Sequence, residues 1–323
     1  MTGTAFLLFT NLALFTKTVN VIGRRSAVRK IVDEVNSELQ SEQEEKRVAI
    51  VESCNQETKR HLCLYIVLTA VTVFGWAASA EKDSLPLRAW YPYDVSQSPA
   101  YQITYAHQSF ALIVAASLNV SVDTLVTSLI AQCRCQLMLL GCSLRNLCRG
   151  IPVRDMQLMS PNEDKTISVL LRKCVLRHQA VLETVKLLEE YFSTPILAQF
   201  TVSTVIICVT AYQLAFETMK MVRVISMLAY LLDMMLQVFF YCYQGHQLSE
   251  ESTEVAGAAY SCPWYSCSVR IRGAILILMT RTTRIAKLTA GGFTNLSLST
   301  FMAIIKASYT FFTVLQQVEG RKP

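Results

Sequence analysis

Long runs of apolar residues constrain the fold of this chain more than any other feature of its sequence. Six segments meet or approach the roughly 20 apolar residues that a helix needs to cross a hydrocarbon core of about 30 Å. They lie at residues 5–22, 61–80, 106–141, 195–216, 221–243 and 296–318. Only 17% of the 323 residues are charged, against about 25% in soluble domains. The sequence therefore predicts an all-α membrane protein, a multi-span helical bundle with six visible spans, and excludes an ordinary cytosolic enzyme.

Polar residues within these runs mark features that the structure has to accommodate. The first run is interrupted by Asn11, Lys17 and Asn20. The third run is too long for one crossing, so its C-terminal part is expected to extend beyond the bilayer. Asp123 and Asp233 fall inside spans, where buried acids are functional candidates. A hydrogen bond to another helix, or a basic partner such as Arg134, explains these acids equally well.

Basic residues predict how the chain is oriented. Three loops, at residues 23–60, 144–186 and 244–295, hold 21 of its Lys and Arg residues, whereas the loops on the opposite side hold six. Because Lys and Arg accumulate in cytoplasmic loops, we expect these three loops in the cytoplasm and the C-terminus outside. The net charge of +6 then follows from topology, and we expect membrane lipid rather than nucleic acid as a partner.

The sequence shows no pattern typical of catalysis, a cofactor or a metal ion. It has no phosphate-binding glycine loop, no HExxH and no GxSxG, the motifs that carry the common chemistries. The four histidines are scattered, and the eleven cysteines lie in predicted cytoplasmic segments or within spans. Cysteine in such places behaves as a small hydrophobic residue. We expect no enzyme activity, no cofactor and no metal.

Four stretches resemble insect odorant receptors. The run SLSTFMAIIKASYTFFTVLQQV (297–318) is similar to the C-terminal helix of that family. Residues 88–108, 245–265 and 136–147 are similar to its second outer loop, its third cytoplasmic segment and the inner end of its fourth helix. Related gustatory receptors end in Thr-Tyr, five apolar residues and Gln-Phe. Phe311 and Val318 replace the Tyr and the Phe here, which favours the odorant branch.

The resemblance implies an odorant-specific subunit of a non-selective, ligand-gated cation channel. Such subunits form a hetero-tetramer with a shared odorant co-receptor subunit in the plasma membrane of olfactory sensory neurons, in the dendrites, and bind a small volatile organic ligand. The family has seven spans with an external C-terminus. The six runs correspond to spans two to seven, so the chain is expected to lack the first. A gustatory-type receptor channel and a secondary transporter are the alternatives; a transporter would predict an internal repeat, and none is visible.

The resemblance also assigns residues to a pore and to a pocket. In the last helix, Val314 and Val318 would form a hydrophobic gate with Gln317 as a polar ring beside it, and Lys306 would point sideways. A ring of apolar side chains closes a pore by dewetting. The odorant pocket would lie in the outer half of the subunit, with Trp76 as the best single candidate because its ring combines area with one N–H donor. The full set of pocket candidates is Phe6, Phe9, Thr72, Gly75, Trp76, Tyr105, Ser109, Ile113 and Tyr212.

Three parts follow from the spans and the resemblance. Residues 1–243 would form the transmembrane bundle with the outer-half pocket. Residues 244–295 would form a cytoplasmic helical anchor, with a turn at Pro263. Residues 296–323 would form the pore-lining last helix and a short extracellular tail.

Overall fold

The computed structural model describes residues 2–40, 45–78, 90–93, 98–148, 160–216 and 221–319, and in these ranges the side chains of 2–8, 34–40, 45, 77, 318 and 319 are not described. The described residues form eight α-helices, a short 3₁₀ turn and a two-stranded hairpin. The elements are α1 (Thr2–Gly23), α2 (Arg25–Gln40), α3 (Glu45–Ala78), α4 (Ala100–Arg145), α5 (Pro161–Phe216), α6 (Met221–Tyr260), the 3₁₀ turn Trp264–Ser266, α7 (Val269–Thr282), β1 (Thr289–Ala290), β2 (Thr294–Asn295) and α8 (Leu298–Glu319).

Four helices in the described ranges are long and apolar enough to cross a membrane: α4, α5, α6 and the Leu298–Gln317 part of α8. They coincide with the predicted spans at 106–141, 195–216, 221–243 and 296–318. The remaining two runs, 5–22 and 61–80, lie on helices α1 and α3 and stay predictions as spans. The prediction of an all-α membrane bundle is confirmed.

Helices α4 and α5 are far longer than a bilayer is thick. Helix α4 has 46 residues and α5 has 56, which at 1.5 Å per residue gives about 69 and 84 Å. A hydrocarbon core of about 30 Å leaves more than half of each helix outside it. Each therefore consists of one span and one extension, as the length of the third apolar run predicted for α4.

The extensions pack into one continuous apolar core with the segment predicted as the anchor. Ile130 and Leu140 of α4, Val181 of α5, and Val238 and Leu248 of α6 are all fully buried in it. Burial of this kind stabilises by about 25 cal/mol for each Å² of apolar surface removed from water. This core holds the ends of the spanning helices in fixed positions.

Helix α6 passes without a break from the predicted span into the predicted anchor. The boundary proposed at residue 244 falls inside this helix, so the two parts share one rigid element. The helix ends at Tyr260 and Pro263 leads into the 3₁₀ turn, where the sequence predicted a turn. The Ser252 hydroxyl oxygen accepts a hydrogen bond from the backbone N–H of Ala286 at 2.9 Å, which connects α6 to the segment before the hairpin.

The hairpin positions the start of α8. Gly291, in its loop, has a φ of 63°, a backbone region that glycine adopts without strain. An added Cβ there would lie 2.4 Å from Leu197 of α5. The Gly291 backbone N–H donates to the Ser193 carbonyl at 2.9 Å, and the Thr289 N–H donates to Glu189 at 2.7 Å. These contacts fix the hairpin against α5, and α8 begins three residues after β2.

Candidate functional site: an interhelical cavity and the exposed last helix

A cavity of about 150 Å³ lies between α1, α3, α4 and α6. Its wall combines aliphatic and aromatic side chains with a few oxygen-bearing groups, as small-molecule sites commonly do. The lining residues are Thr10, Asn11 and Leu14 of α1; Thr69, Val73 and Trp76 of α3; Leu112, Ala115, Ala116, Asn119 and Val120 of α4; and Tyr230, Asp233 and Met234 of α6.

Asp123 lies next to this cavity at the centre of a buried polar network. Its carboxylate accepts hydrogen bonds from Lys17 Nζ at 2.6 Å, the Tyr241 hydroxyl at 2.8 Å and the Tyr65 hydroxyl at 3.0 Å, and from the Gln237 amide. The side chains of Lys17 and Asp123 are 4% and 3% exposed. Four donors from three other helices therefore compensate the charge of this carboxylate, which is the condition under which a buried ion pair persists.

The expected partnership of Asp123 with Arg134 is wrong. Arg134 lies three helical turns further along α4 and pairs instead with Glu57 of α3, at 2.6 Å. Lys17, which interrupts the first apolar run, takes the place of Arg134. Lys17 of α1 and Asp123 of α4, which each interrupt an apolar run, therefore form one buried ion pair.

Asp233 is the carboxylate that lines the cavity itself. It is 5% exposed, and among the described residues the donor that reaches it is the Thr69 hydroxyl, 3.3 and 3.4 Å from its two oxygens. These are long hydrogen bonds. Asp233 is therefore buried like Asp123 but has far less compensation.

Of the nine predicted pocket residues, Trp76 lines the cavity. Thr72 and Gly75 lie on a neighbouring face of α3, where this helix contacts α6. An added Cβ at Gly75 would lie 2.7 Å from the Ser226 Cβ, and the Ser226 hydroxyl donates to the Thr72 carbonyl at 3.0 Å. Because Gly75 has no side chain, α3 and α6 can approach closely at this point. Thr72 and Gly75 therefore have a role in helix packing.

The other predicted pocket residues lie on the right helices but away from the cavity wall. Phe9 and Ile113 are 40% and 46% exposed on the outside of the bundle, and Ser109 is half-buried. Tyr105 packs on Tyr101 with ring centroids 6.0 Å apart, and Tyr212 packs on Phe216 at 4.9 Å. Phe6 lies on α1, and its side chain is outside the described residues.

Sequence reasoning did not assign Thr69, Asn119, Tyr230 or Asp233 to the pocket, although it singled out Asp233 as an acid within a span. A signal for Thr69 was present, because it lies seven residues, or two helical turns, before Trp76 and so on the same face of α3. The other three are polar or aromatic interruptions of apolar runs. Their convergence on one cavity depends on how α4 and α6 pack, which no local pattern shows.

Helix α8 packs on the bundle with one face only. Phe301 contacts Phe239 of α6 edge to face, with centroids 5.5 Å apart, and the buried Ser308 hydroxyl donates to the Thr204 carbonyl of α5 at 3.2 Å. Only 6% of its spanning window is buried, compared with 50% for α6. Within one chain, α8 is therefore a peripheral helix.

The opposite face of α8 carries the predicted gate. Val314 is 50% exposed, Gln317 and Thr310 are exposed with it, and the side chain of Val318 is outside the described residues. Lys306 is exposed too, and it lies eleven residues, about three helical turns, before Gln317. It therefore lies on the same face of the helix as Gln317, and its expected direction, sideways or toward the membrane interface, stays a prediction.

Cysteines contribute to packing in the described chain. All eleven are free thiols, and nine of them are buried. Within the described ranges, no cluster of three His, Cys, Asp or Glu side chains has the arrangement of a metal site.

Comparison with known proteins gives one consistent family. A family model described as "7tm Odorant receptor" matches residues 1–309. Odorant receptor Or1 of Anopheles gambiae is 25% identical over 283 residues, which cover 80% of this chain and 67% of that receptor. Odorant receptor 13a of Drosophila melanogaster is 27% identical over 274 residues, covering 80% and 63%. The chain thus spans about two thirds of the length of these relatives.

A solved structure has the same fold. The insect olfactory receptor OR5 from Machilis hrabei, in complex with eugenol, superposes with a TM-score of 0.81 over 98% of this chain and 82% of that one, at 19% identity. A second structure of the same receptor superposes on this chain with a TM-score of 0.78.

These relatives are odorant receptors rather than enzymes. The match of the family model to residues 1–309 confirms the resemblance that the last helix and three other stretches indicated. This chain belongs to the seven-transmembrane odorant receptor family of insects.

Proposed function

We propose that this chain is an odorant-specific receptor subunit that binds small volatile molecules in the cavity between α1, α3, α4 and α6 and gates a cation pore lined by α8. The pore forms in a hetero-tetramer with the shared co-receptor subunit. The observation that carries the proposal is an apolar cluster that joins cavity to pore helix, since Trp76 and Met234 of the cavity wall pack in the same cluster as Ile305 of α8.

The cavity suits a small volatile ligand. A dry, apolar cavity of about 150 Å³ binds a molecule such as benzene, and the volume here is about 150 Å³. The wall is mainly apolar and holds two aromatic rings, those of Trp76 and Tyr230. A ligand that fills this space gains from burial of its apolar surface and needs few polar contacts.

The exposed face of α8 supports the pore. One helix cannot enclose a hydrated path, so several copies have to surround it. The face that carries Thr310, Val314 and Gln317 is exposed within one chain. It mixes polar with apolar side chains, and Lys306 lies on it about three turns before Gln317. A ring of Val314 side chains, extended by Val318, would close the path by dewetting, and a modest rotation of α8 would let water return.

The cluster around Met234 gives a route from ligand to gate. A ligand in the cavity pushes on Trp76 and Met234, and Met234 packs with Ile206 and Ile207 of α5, against which Ile305 also lies. A shift of this cluster displaces α8 on its packed face. Ligand binding would therefore shift the equilibrium between two positions of α8 against α5 and α6.

The proposal includes an orientation and a location. The charge distribution puts the C-terminal end of α8 outside and the extensions of α4 and α5 in the cytoplasm, so that the cavity lies in the outer half of the bundle. The subunit would lie in the plasma membrane of olfactory sensory neurons, in their dendrites. The core formed by the extensions and residues 244–295 would hold neighbouring subunits together.

Recording current from cells that express this chain with the co-receptor subunit tests the proposal. Ala116→Leu adds three carbon atoms to the cavity wall and is expected to abolish the response to volatile ligands that the unaltered pair detects. Ala111→Leu makes the same change on an exposed position of α4 and should leave the response intact. Equal responses from both variants would remove the cavity as the ligand site, and absence of any ligand-evoked current would remove the channel function.

A further inference from the structure

We propose that Asp233 makes the cavity selective for small amines, which are cations at neutral pH, over hydrocarbons of the same shape. The inference rests on the proposed function, because it takes the cavity to be the ligand site and names the chemical class of ligand that the site favours. The observation behind it is a carboxylate, 95% buried, that faces an otherwise mainly apolar space.

The contrast with Asp123 shows what Asp233 lacks. Asp123 accepts four hydrogen bonds, one of them from the ammonium group of Lys17. Asp233 accepts from the Thr69 hydroxyl alone among the described residues, at 3.3–3.4 Å. A buried carboxylate that lacks a cationic partner is costly. A ligand that brings a cation into the cavity would therefore relieve a cost that a neutral ligand leaves in place.

The cationic side chains near the cavity are engaged elsewhere. Lys17 lies on α1 next to the cavity, but its amine contacts Asp123 at 2.6 Å and the Asn119 side-chain oxygen at 3.3 Å. The guanidinium of Arg223 lies over the ring of Trp76, 5.5 Å from its centroid. No Lys, Arg or His is among the described residues that line the cavity. The cavity thus has an acid with no basic residue opposite it.

The cavity has room for the rest of an amine as well. Leu14, Val73, Leu112 and Ala115 form aliphatic wall for a hydrocarbon group. An ammonium group has three N–H donors, and two of them can reach the oxygens of Asp233. The hydroxyls of Thr10 and Tyr230, which lie 3.1 Å apart, offer further oxygen acceptors on the wall. A volume of about 150 Å³ limits the ligand to a benzene-sized group carrying the amine.

Benzylamine and ethylbenzene test the inference, because they differ by replacement of a methyl group with an ammonium. Binding is measured on the detergent-purified full chain with radiolabelled benzylamine, and with ethylbenzene as the competitor. The unaltered protein should bind benzylamine at least about tenfold more tightly than ethylbenzene, the scale of a hydrogen-bonded charge pair. Asp233→Asn should abolish that preference, and Asp33→Asn, which makes the same change on an exposed position of α2, should keep it.

The outcomes separate this inference from the function on which it rests. If ethylbenzene binds as tightly as benzylamine to the unaltered protein, the selectivity is overturned while the cavity remains a ligand site. If neither molecule binds, the cavity itself is removed as the site and both proposals fall. The comparison on the unaltered protein decides even when Asp233→Asn does not fold.

Discussion

The surroundings of Asp123 and the exposed face of α8 differ in what completes them. Around Asp123, three other helices of the same chain supply four donors to the buried carboxylate, and Lys17 and Asp123 are almost fully buried. On α8, Val314 is half-exposed and only 6% of the spanning window is buried. The surroundings of Asp123 are formed within one chain, whereas the exposed face of α8 depends on contacts with other subunits.

This difference separates folding from conduction. A change around Asp123 alters interactions within one subunit and should appear as lost stability. A change on the exposed face of α8 leaves the subunit's own contacts intact and should appear only where subunits meet. The predictions below test that division, starting with the largest effect on stability.

Lys17→Met is expected to destabilise the folded chain most. It leaves Asp123 buried without its cationic partner, and breaking a buried pair in this way costs about 3–5 kcal/mol. The measurement is the thermal midpoint of the purified protein. Lys306→Met makes the same substitution on the exposed face of α8 and should change stability by less than about 0.5 kcal/mol. Similar losses of stability in both variants would contradict the proposed difference between the two regions.

Gly245→Ala should have an intermediate effect. Its new Cβ would lie 2.3 Å from Leu296 Cβ and 2.9 Å from the Leu296 carbonyl oxygen, so α6 and the segment before α8 have to move apart. Overpacking of this kind costs about 1–3 kcal/mol. Gly273→Ala, on α7, meets no atom within 4 Å and should stabilise its helix slightly, by up to about 1 kcal/mol. An equal decrease in the thermal midpoints of both variants would show that the close approach of Gly245 to Leu296 does not contribute to stability.

Sequence alone could predict the spans and could not predict what lies between them. Apolar runs locate α4, α5, α6 and α8 because burial in lipid demands about 20 such residues. The pairing of Lys17 with Asp123 joins residues 106 positions apart, and no local periodicity specifies it. Gly75 illustrates the same limit, since a glycine on a helix face suits a ligand contact and a close helix crossing equally well.

The last helix could be identified by resemblance more easily than the cavity could. The positions of Val314 and Gln317 follow from matching one continuous stretch. Both side chains are exposed on α8, and their role as a gate stays a prediction. The cavity draws its wall from four helices, and eight of the nine residues predicted for it lie elsewhere or outside the described side chains. Asp233 was recognised as unusual, but its place on the wall depended on the packing of α6 against α3.

The smallest effect on stability is expected from Val314→Cys, which should change the thermal midpoint little because the side chain is half-exposed. Its effect on conduction should be large. Ser308→Cys is the matched control, because Ser308 lies buried on the packed face of the same helix.

Thiol accessibility during current recording tests the central claim most directly. A charged, water-soluble thiol reagent is applied to cells that express Val314→Cys or Gln317→Cys with the co-receptor subunit, while ligand-evoked current is recorded. The account predicts that the reagent blocks current in both variants and leaves Ser308→Cys and the unsubstituted chain unchanged. Block at Ser308→Cys without block at Val314→Cys or Gln317→Cys would contradict the assignment of this face of α8 to the conduction path.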